Sequence, residues 1–420
     1  MTEAPLTLAP GAPRAPRTHS DTTIIAAVSS AHFVAHYCLL ALPPLLEIVR
    51  ADFGVSYTEL GFALVAFNVL CAAFQTPAGF LVDRIGARKV LIAGMVLGAM
   101  ALAAAGLATS FWLFVALFAL GGLGNAVYHP ADYAVLSTRV GEARVGHAYA
   151  MHQFAGMLGG AAAPVAMLAM HHAIGWRGAF VASALPGLAV AVWFVLLGES
   201  AMARPAGAPA ERETKNAREG TDASAPDAAG GGSMRLLMSP VILANFVFFM
   251  LFATLQAGMQ NYGAVALTGA QGMPLTTANG GLTGYLLAIS IGVLLGGAPA
   301  RWIGPARLTT ITMLTISALS VVLALVDLGP VGAIAVMSVI GLVAGVSMPS
   351  RDLIVREVTP PGTFGKVFGF VTTGFNLAGI LAPIVFGLLL DHGHASGVFL
   401  VVAGACLLAI ATVATVRSRS

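Results

Sequence analysis

Apolar residues in this chain come in long unbroken runs, without the 3.6-residue period of a surface helix or the two-residue period of a half-buried strand. Twelve runs stand at roughly 22–46, 57–81, 88–108, 110–137, 146–170, 177–198, 237–267, 276–299, 306–326, 329–355, 363–390 and 395–416. Each reaches the length of about 20 residues that a helix needs to cross the hydrocarbon of a bilayer. No run shows the alternation of a membrane barrel strand, so helices are the expected element; each closes its own backbone hydrogen bonds inside lipid. Pro43, Pro44, Pro240, Pro360 and Pro361 fall near run ends, where a missing N–H costs little. The expected fold class is an all-α membrane protein of twelve transmembrane helices in two parallel six-helix repeats.

The pattern stops between the sixth and seventh runs. Residues 199–235 hold Ala, Gly, Pro and charge with no apolar period, too little to bury a core of their own. They read as a flexible cytoplasmic linker between an N-terminal bundle, 22–198, and a C-terminal bundle, 236–416. Residues 1–21 and 417–420 read as cytoplasmic tails.

Composition agrees. The chain is 58% hydrophobic and 9% charged, against about 25% charged residues in a soluble domain. A net charge of +3 is too small to suggest nucleic acid as a partner. Cys38, Cys71 and Cys406 each sit in an apolar run without a CxxC spacing, as small buried hydrophobes do. The first run is too long for the core of a signal peptide. Of the 21 Lys and Arg residues, all but Arg50 and Arg177 fall on one side if both termini are cytoplasmic, which fixes the expected orientation. The expected setting is the bacterial inner membrane, and the expected state a monomer, since one chain holds both halves.

The halves repeat. An offset of 219 pairs Gly122 with Gly341, Pro130 with Pro349, Gly146 with Gly365 and Pro164 with Pro383; an offset of 218 pairs Gly86 with Gly304 and Lys89 with Arg307. Six spans bring the chain back to its starting side, so the repeats are parallel. Repeats of this kind enclose a midplane site and alternate its access by rocking.

The loop between the second and third runs reads Gly79-Phe-Leu-Val-Asp83-Arg84-Ile-Gly86-Ala-Arg88-Lys89-Val-Leu91. It resembles the major facilitator signature G-x-L-a-D-R-x-G-R-R-x-x-L, departing from it at Ala87. The resemblance implies the major facilitator fold and a cytoplasmic gate built from Gly79, Asp83, Arg84, Gly86 and Arg88. In such a gate Asp83 would satisfy a helix N-terminus of the other half. VYHPADYAVLSTRV and AMHQFAGMLGG, with His32, look like the fosmidomycin-resistance type of facilitator exporter, which implies efflux of a small polar or anionic compound.

Polar side chains at mid-depth are costly and usually face a cavity. His32 and His36 share a helix face. At 1.5 Å per residue, His32 lies roughly 15 Å, His129 roughly 13 Å and His152 about 9 Å from the inner end. Asn68, Asn125 and Tyr128 add hydrogen-bonding capacity in the first half, and Gln256, Gln260 and Asn376 in the second. These ten residues form the expected substrate and proton pathway. Asp132 and Asp352 read as lying near inner span ends, with Arg351 paired to Asp352, so histidine rather than a carboxylate is the expected proton carrier. His32-x-x-x-His36 has the spacing of a helical metal pair. With His129 it would suit a transition ion, but no Cys or central carboxylate completes the set, so no metal is expected.

Gly156, Gly159 and Gly160 in the fifth run read first as a close-packing face. With Pro164 they also loosely match the antiporter motif of facilitator exporters. The expected function is secondary transport of a small organic solute by alternating access, as proton-coupled efflux. Proton-linked uptake of an organic anion, metal-ion transport and a non-transporting membrane sensor are the other readings. No nucleophile–base motif or phosphate-binding loop is present, so no enzyme, cofactor or nucleotide-driven pump is expected.

Overall fold

The computed structural model describes residues 20–198, 236–359 and 364–417. The expected linker at 199–235, nearly all of both tails, and Pro360 and Pro361 lie outside them. Among the described residues every regular element is helical.

In the first half, α1 (Asp21–Leu39) and α2 (Leu46–Phe53) build the first span around a 3₁₀ turn at Pro43–Leu45. The run at 22–46 is thus not one helix. Pro43 and Pro44 have no N–H to offer the carbonyls of Leu39 and Leu40, so α1 ends there. The second and third spans are α3 (Tyr57–Ile85) and α4 (Ala87–Gly106). α5 (Phe111–Asn125) and α6 (Tyr128–Arg139) form the fourth. α7 (Glu142–Ala182) bends at Ile174 and Gly175, the latter at φ 74°, so it holds the fifth span and opens the sixth, which α8 (Ala184–Leu197) completes. Eleven stretches among the described residues are long and apolar enough to cross a membrane, and His147–Leu197 contains two spans joined at that bend. This yields the expected twelve.

In the second half, α9 (Pro240–Ala257), a π-helical turn at Gly258–Tyr262 and α10 (Gly263–Gln271) form the seventh span. α11 (Leu275–Leu295) is the eighth, and the short α12 (Gly297–Ile303) continues it. α13 (Pro305–Leu325), α14 (Gly329–Val358), α15 (Phe364–Asp391) and α16 (Ala395–Arg417) complete the set. Three helix starts are capped by a serine hydroxyl. Ser20, Ser56 and Ser110 each accept from a backbone N–H three residues on, and Glu59 completes a capping box with Ser56.

The repeat is visible in the backbone. Gly86 stands at φ 90°, ψ 144° and Gly304 at φ 82°, ψ 145°, each opening the next helix in a conformation that disfavours any Cβ. A Cβ on Gly122 would strike the Phe67 carbonyl, and one on Gly341 the Tyr285 carbonyl. Both glycines let their spans touch backbone to backbone.

The halves pack through α3 against α15 and α7 against α11. Asp391, at the end of α15, accepts from Tyr57 N at 2.6 Å, Thr58 N at 2.9 Å and Thr58 Oγ1 at 2.5 Å. It therefore caps the N-terminus of α3 from the opposite half. Asn279 Nδ2 donates to the Pro44 carbonyl at 3.2 Å. Gly387 lies flat against the Thr58 backbone. Arg50 and Arg177, the two basic residues assigned to the outer side, lie at this same end; Arg177 pairs with Asp52 at 2.8 Å. Farther along α3, Ala73, Phe74, Gln75, Thr76 and Pro77 are exposed in succession, and Asn376 is exposed on α15. The hydrogen bonds described between the halves gather at the Asp391 end, and α3 is exposed toward the Gly86 loop.

Candidate functional site

The site begins at Pro130. Its missing N–H leaves the Ala126 carbonyl without a helical donor, and the fourth span breaks between α5 and α6 at Ala126–Val127. Tyr128, His129, Asp132 and Tyr133 follow on the first turns of α6. The i, i+3 spacing of His129 and Asp132 sets them on one face, toward α1 and α7.

His32 of α1 is the hub. Its ring centroid lies 4.6 Å from that of His36, 5.3 Å from His129 and 3.8 Å from His152, the last pair stacked. His32 Nδ1 lies 3.7 Å and His152 Nε2 3.9 Å from Asp132 Oδ2. His32, His152 and Asp132 are fully buried, His36 is half-buried and His129 is exposed. Neither ring nitrogen of His152 and neither oxygen of Asp132 has a hydrogen-bond partner among the described residues, and Gln153 lies beside His32. Gly156 makes the cluster possible, because a Cβ there would lie 2.6 Å from His32 Nε2 and 3.1 Å from His36 Cδ2. Gly159 likewise meets the Phe33 backbone. This glycine face is a packing surface against α1, as its spacing suggested.

Asp132 overturns the expectation that no carboxylate is central. Its distance from the span end made it read as peripheral, yet α1 and α7 close over it. The convergent nitrogens also differ from the expected set. Those of His32, His129 and His152 lie within 4.8 Å of one another, so His152 takes the place given to His36. With Asp132 beside them, the carboxylate that a transition ion would require is present. Tyr133 borders the cluster 5.5 Å from the His152 ring and accepts a hydrogen bond from Gln153 Nε2 at 3.2 Å. Asp352 of the other half is near enough to act electrostatically on Tyr133. Neither Tyr133 nor Gln153 was singled out from the sequence.

The remaining expected residues scatter. Tyr128 is buried, and with Asn125 it lines a narrow crevice inside the first half among Val34, Phe67, Met95 and Phe118. Asn68 donates to the Leu64 carbonyl and packs on Gly379, at the contact between halves. Gln260 lies on the π-helical turn beside Tyr285. Gln256 is half-buried on α9 and Asn376 exposed on α15. None of these last three touches the histidines among the contacts described.

Of the expected gate, Gly79 lies 3.7 Å from Pro130 by its missing Cβ, and Arg84 and Gly86 are exposed at the C-terminal end of α3. The Asp83 side chain lies outside the described residues. Arg88 has a different role: Nε donates to the Phe194 carbonyl at 2.8 Å and Nη2 to the Val195 carbonyl at 2.9 Å. It caps the C-terminus of α8 within its own half.

In the second half, Arg351 of α14 lies under three phenyl rings. Its guanidinium carbon is 4.6 Å from the Phe249 centroid, 5.3 Å from Phe252 and 5.1 Å from Phe375. Its Nε donates to Asp352 Oδ1 at 2.8 Å, the local pairing the sequence suggested. The offset of 219 that pairs Pro130 with Pro349 also pairs Asp132 with Arg351.

Twelve spans in two repeats with buried ionisable groups on the spans define a polytopic transporter. The chain belongs to the Major Facilitator Superfamily, which it matches over residues 28–352 and 264–420; it is a secondary transporter of small solutes and not an enzyme. It is 23% identical to the Fosmidomycin resistance protein of Escherichia coli, covering 98% of this chain and 97% of that one. It is 25% identical to the Probable sulfoacetate transporter SauU of Cupriavidus necator, covering 90% and 89%. A shorter match, 30% identical over 35% of this chain and 33% of the relative, is to the Probable L-galactonate transporter of Escherichia coli. Among solved structures, a bacterial homolog of human lysosomal Spinster in an inward-facing, unoccupied conformation superposes with a TM-score of 0.74 at 14% identity, covering 94% of this chain and 96% of that one.

Proposed function

We infer that this transporter is proton-coupled, with the Asp132–histidine cluster as its proton site. One observation carries the reading: a fully buried carboxylate stands beside buried imidazoles, and neither of its oxygens has a hydrogen-bond partner among the described residues. An ionised carboxylate left so costs several kcal/mol. One proton shared between Asp132 and His32 or His152 relieves that cost, and the exposed His129 leads from the cluster to the cleft. The groups around the proton are His32 and His36 from α1, His129 and Tyr133 from α6, and His152 and Gln153 from α7, with Asp352 facing from α14.

The solute occupies a cleft between halves that opens toward the Gly86 loop. With both termini cytoplasmic, that opening faces inward, and Gly79, Asp83, Arg84 and Gly86 form the inner gate. The protein works as a monomer in the bacterial inner membrane. Efflux in exchange for protons is the first reading, supported by the end-to-end likeness to the Fosmidomycin resistance protein. Uptake of an organic anion with protons is the second; for the anion, it draws on two relatives named as a Probable L-galactonate transporter and a Probable sulfoacetate transporter.

The test is a ligand screen by thermal stabilisation, followed by flux of the ligand found in proteoliposomes under imposed pH gradients of either sign. Coupling predicts that a gradient drives accumulation against concentration, and the effective sign gives the direction. Flux indifferent to the gradient sinks the proton reading. Nickel or zinc accumulated in place of an organic solute would instead establish a metal as cargo, and a stabilising ligand with no flux a sensor.

A further inference from the structure

We propose that Arg351 is the anchor for an anionic group on the transported solute, which makes the substrate a small organic anion bearing a carboxylate or sulfonate. The proposal rests on the transport reading above but not on proton coupling.

Arg351 lies in the last turns of the tenth span, within Gly329–Val355, where a guanidinium shielded from water needs partners. Other arginines in this molecule have them. Arg88 gives two hydrogen bonds to the carbonyls ending α8, and Arg177 serves Asp52 and the Ala108 carbonyl. Arg351 is less exposed than Arg177, at 12% against 41%, yet only its Nε is engaged, by the half-exposed Asp352. Its two terminal amino groups have no hydrogen-bond partner among the described residues.

The surroundings explain what those groups await. Phe249, Phe252 and Phe375 lie against the guanidinium, and cation–π attraction holds it in place without consuming an N–H. The edge with the terminal N–H groups stays free, in the fork geometry that matches a carboxylate or sulfonate through two parallel bonds. Phenyl rings also keep water from one side, which strengthens a charge-assisted contact. Phe249 and Phe252 come from α9, Arg351 from α14 and Phe375 from α15, the second-half counterparts of the three elements that enclose Asp132. The anion site and the proton site thus occupy equivalent places in the two repeats.

The experiment uses the full chain in detergent. Binding of acetate, gluconate and methanesulfonate, each against its neutral amide, is measured by calorimetry for the native protein and for Arg351→Gln, Arg351→Lys and Gly404→Val, with gradient-driven flux measured for Asp132→Asn. The native protein is expected to bind at least one anion saturably and none of the amides. Arg351→Gln should weaken that anion roughly tenfold to a hundredfold, the worth of a hydrogen bond to a charged group. Arg351→Lys should keep the preference for anions at intermediate affinity, having the charge without the fork; should the glutamine variant not fold, this one decides. Gly404→Val, a change into open space, should bind the anion as the native protein does, and a loss of gradient-driven flux in Asp132→Asn bears on proton coupling and leaves Arg351 in place. Amides binding as well as anions, no anion binding at all, or unchanged anion affinity in the lysine and glutamine variants would each overturn the assignment.

Discussion

The two halves treat the same position in opposite ways. In the first, α6 carries Asp132 under His32 and His152; in the second, α14 carries Arg351 under three phenylalanines. Each position follows its span's proline by two residues, and each is covered by the span packed on either side. The backbone is repeated where helices must touch, at Gly86 and Gly304 and at Gly122 and Gly341. Side-chain chemistry at the covered position is not repeated. A symmetric frame suits rocking of one half against the other, and on the proposed reading the unlike side chains give a solute and a coupling ion separate places.

The comparison breaks most sharply at Asp132. Asp132→Asn should cut pH-gradient-driven accumulation by roughly 100-fold, the low end of what a positioned proton-transfer group contributes, and should leave solute exchange without a gradient near native. Proteoliposome flux in the two modes reads this directly. Accumulation that survives the substitution would make the first half an ordinary packed bundle. Next in size is Gly156→Val. Its side chain would enter the space of His32 and His36, and overpacking of this kind costs about 1–3 kcal/mol. A lowered melting temperature with a flattened pH response of transport is expected, whereas the same change at Gly404, which has open space around it, should do neither.

Asp391→Asn tests the contact between halves. Loss of a charged cap should cost about 1 kcal/mol and shift the population toward the form parted at this end, roughly fivefold. Pulsed electron resonance between labels at Ala51 and Thr276 would show the longer distance growing. The smallest effect is expected from Arg88→Ala. Water can replace part of its bonding to the end of α8, so stability should fall by less than about 1 kcal/mol and solute affinity should stay unchanged. A large transport defect there would return Arg88 to the gate.

Much of the frame was legible in the sequence because lipid leaves few alternatives. Twelve apolar runs, one polar break and a repeat register of 219 define the spans and their pairing. The failures are local. The first run hid a break, because the effect of Pro43 and Pro44 falls a full turn earlier than they stand. Asp132 was set aside on depth counted along one helix, and depth says nothing about which neighbours close over a side chain. Two signals would have found it: its i, i+3 spacing from His129, and the register that pairs it with Arg351. The phenyl rings over Arg351 could not be read, since Phe249 and Phe375 are 126 residues apart in sequence and look like any other membrane phenylalanine. Arg88 looked like part of the gate because its motif names it, while its partners on α8 come from more than 100 residues away.

The cap that Asp391 places on α3 also sets a tempo. To part that end, one carboxylate must release two backbone N–H groups and a hydroxyl together. If that release precedes the rate-limiting motion, a cap worth about 1 kcal/mol lengthens the dwell of the closed form about fivefold. Such a contact is a timer rather than a lock. In a cycle of this kind, it would hold the closed form for a time and still let it open.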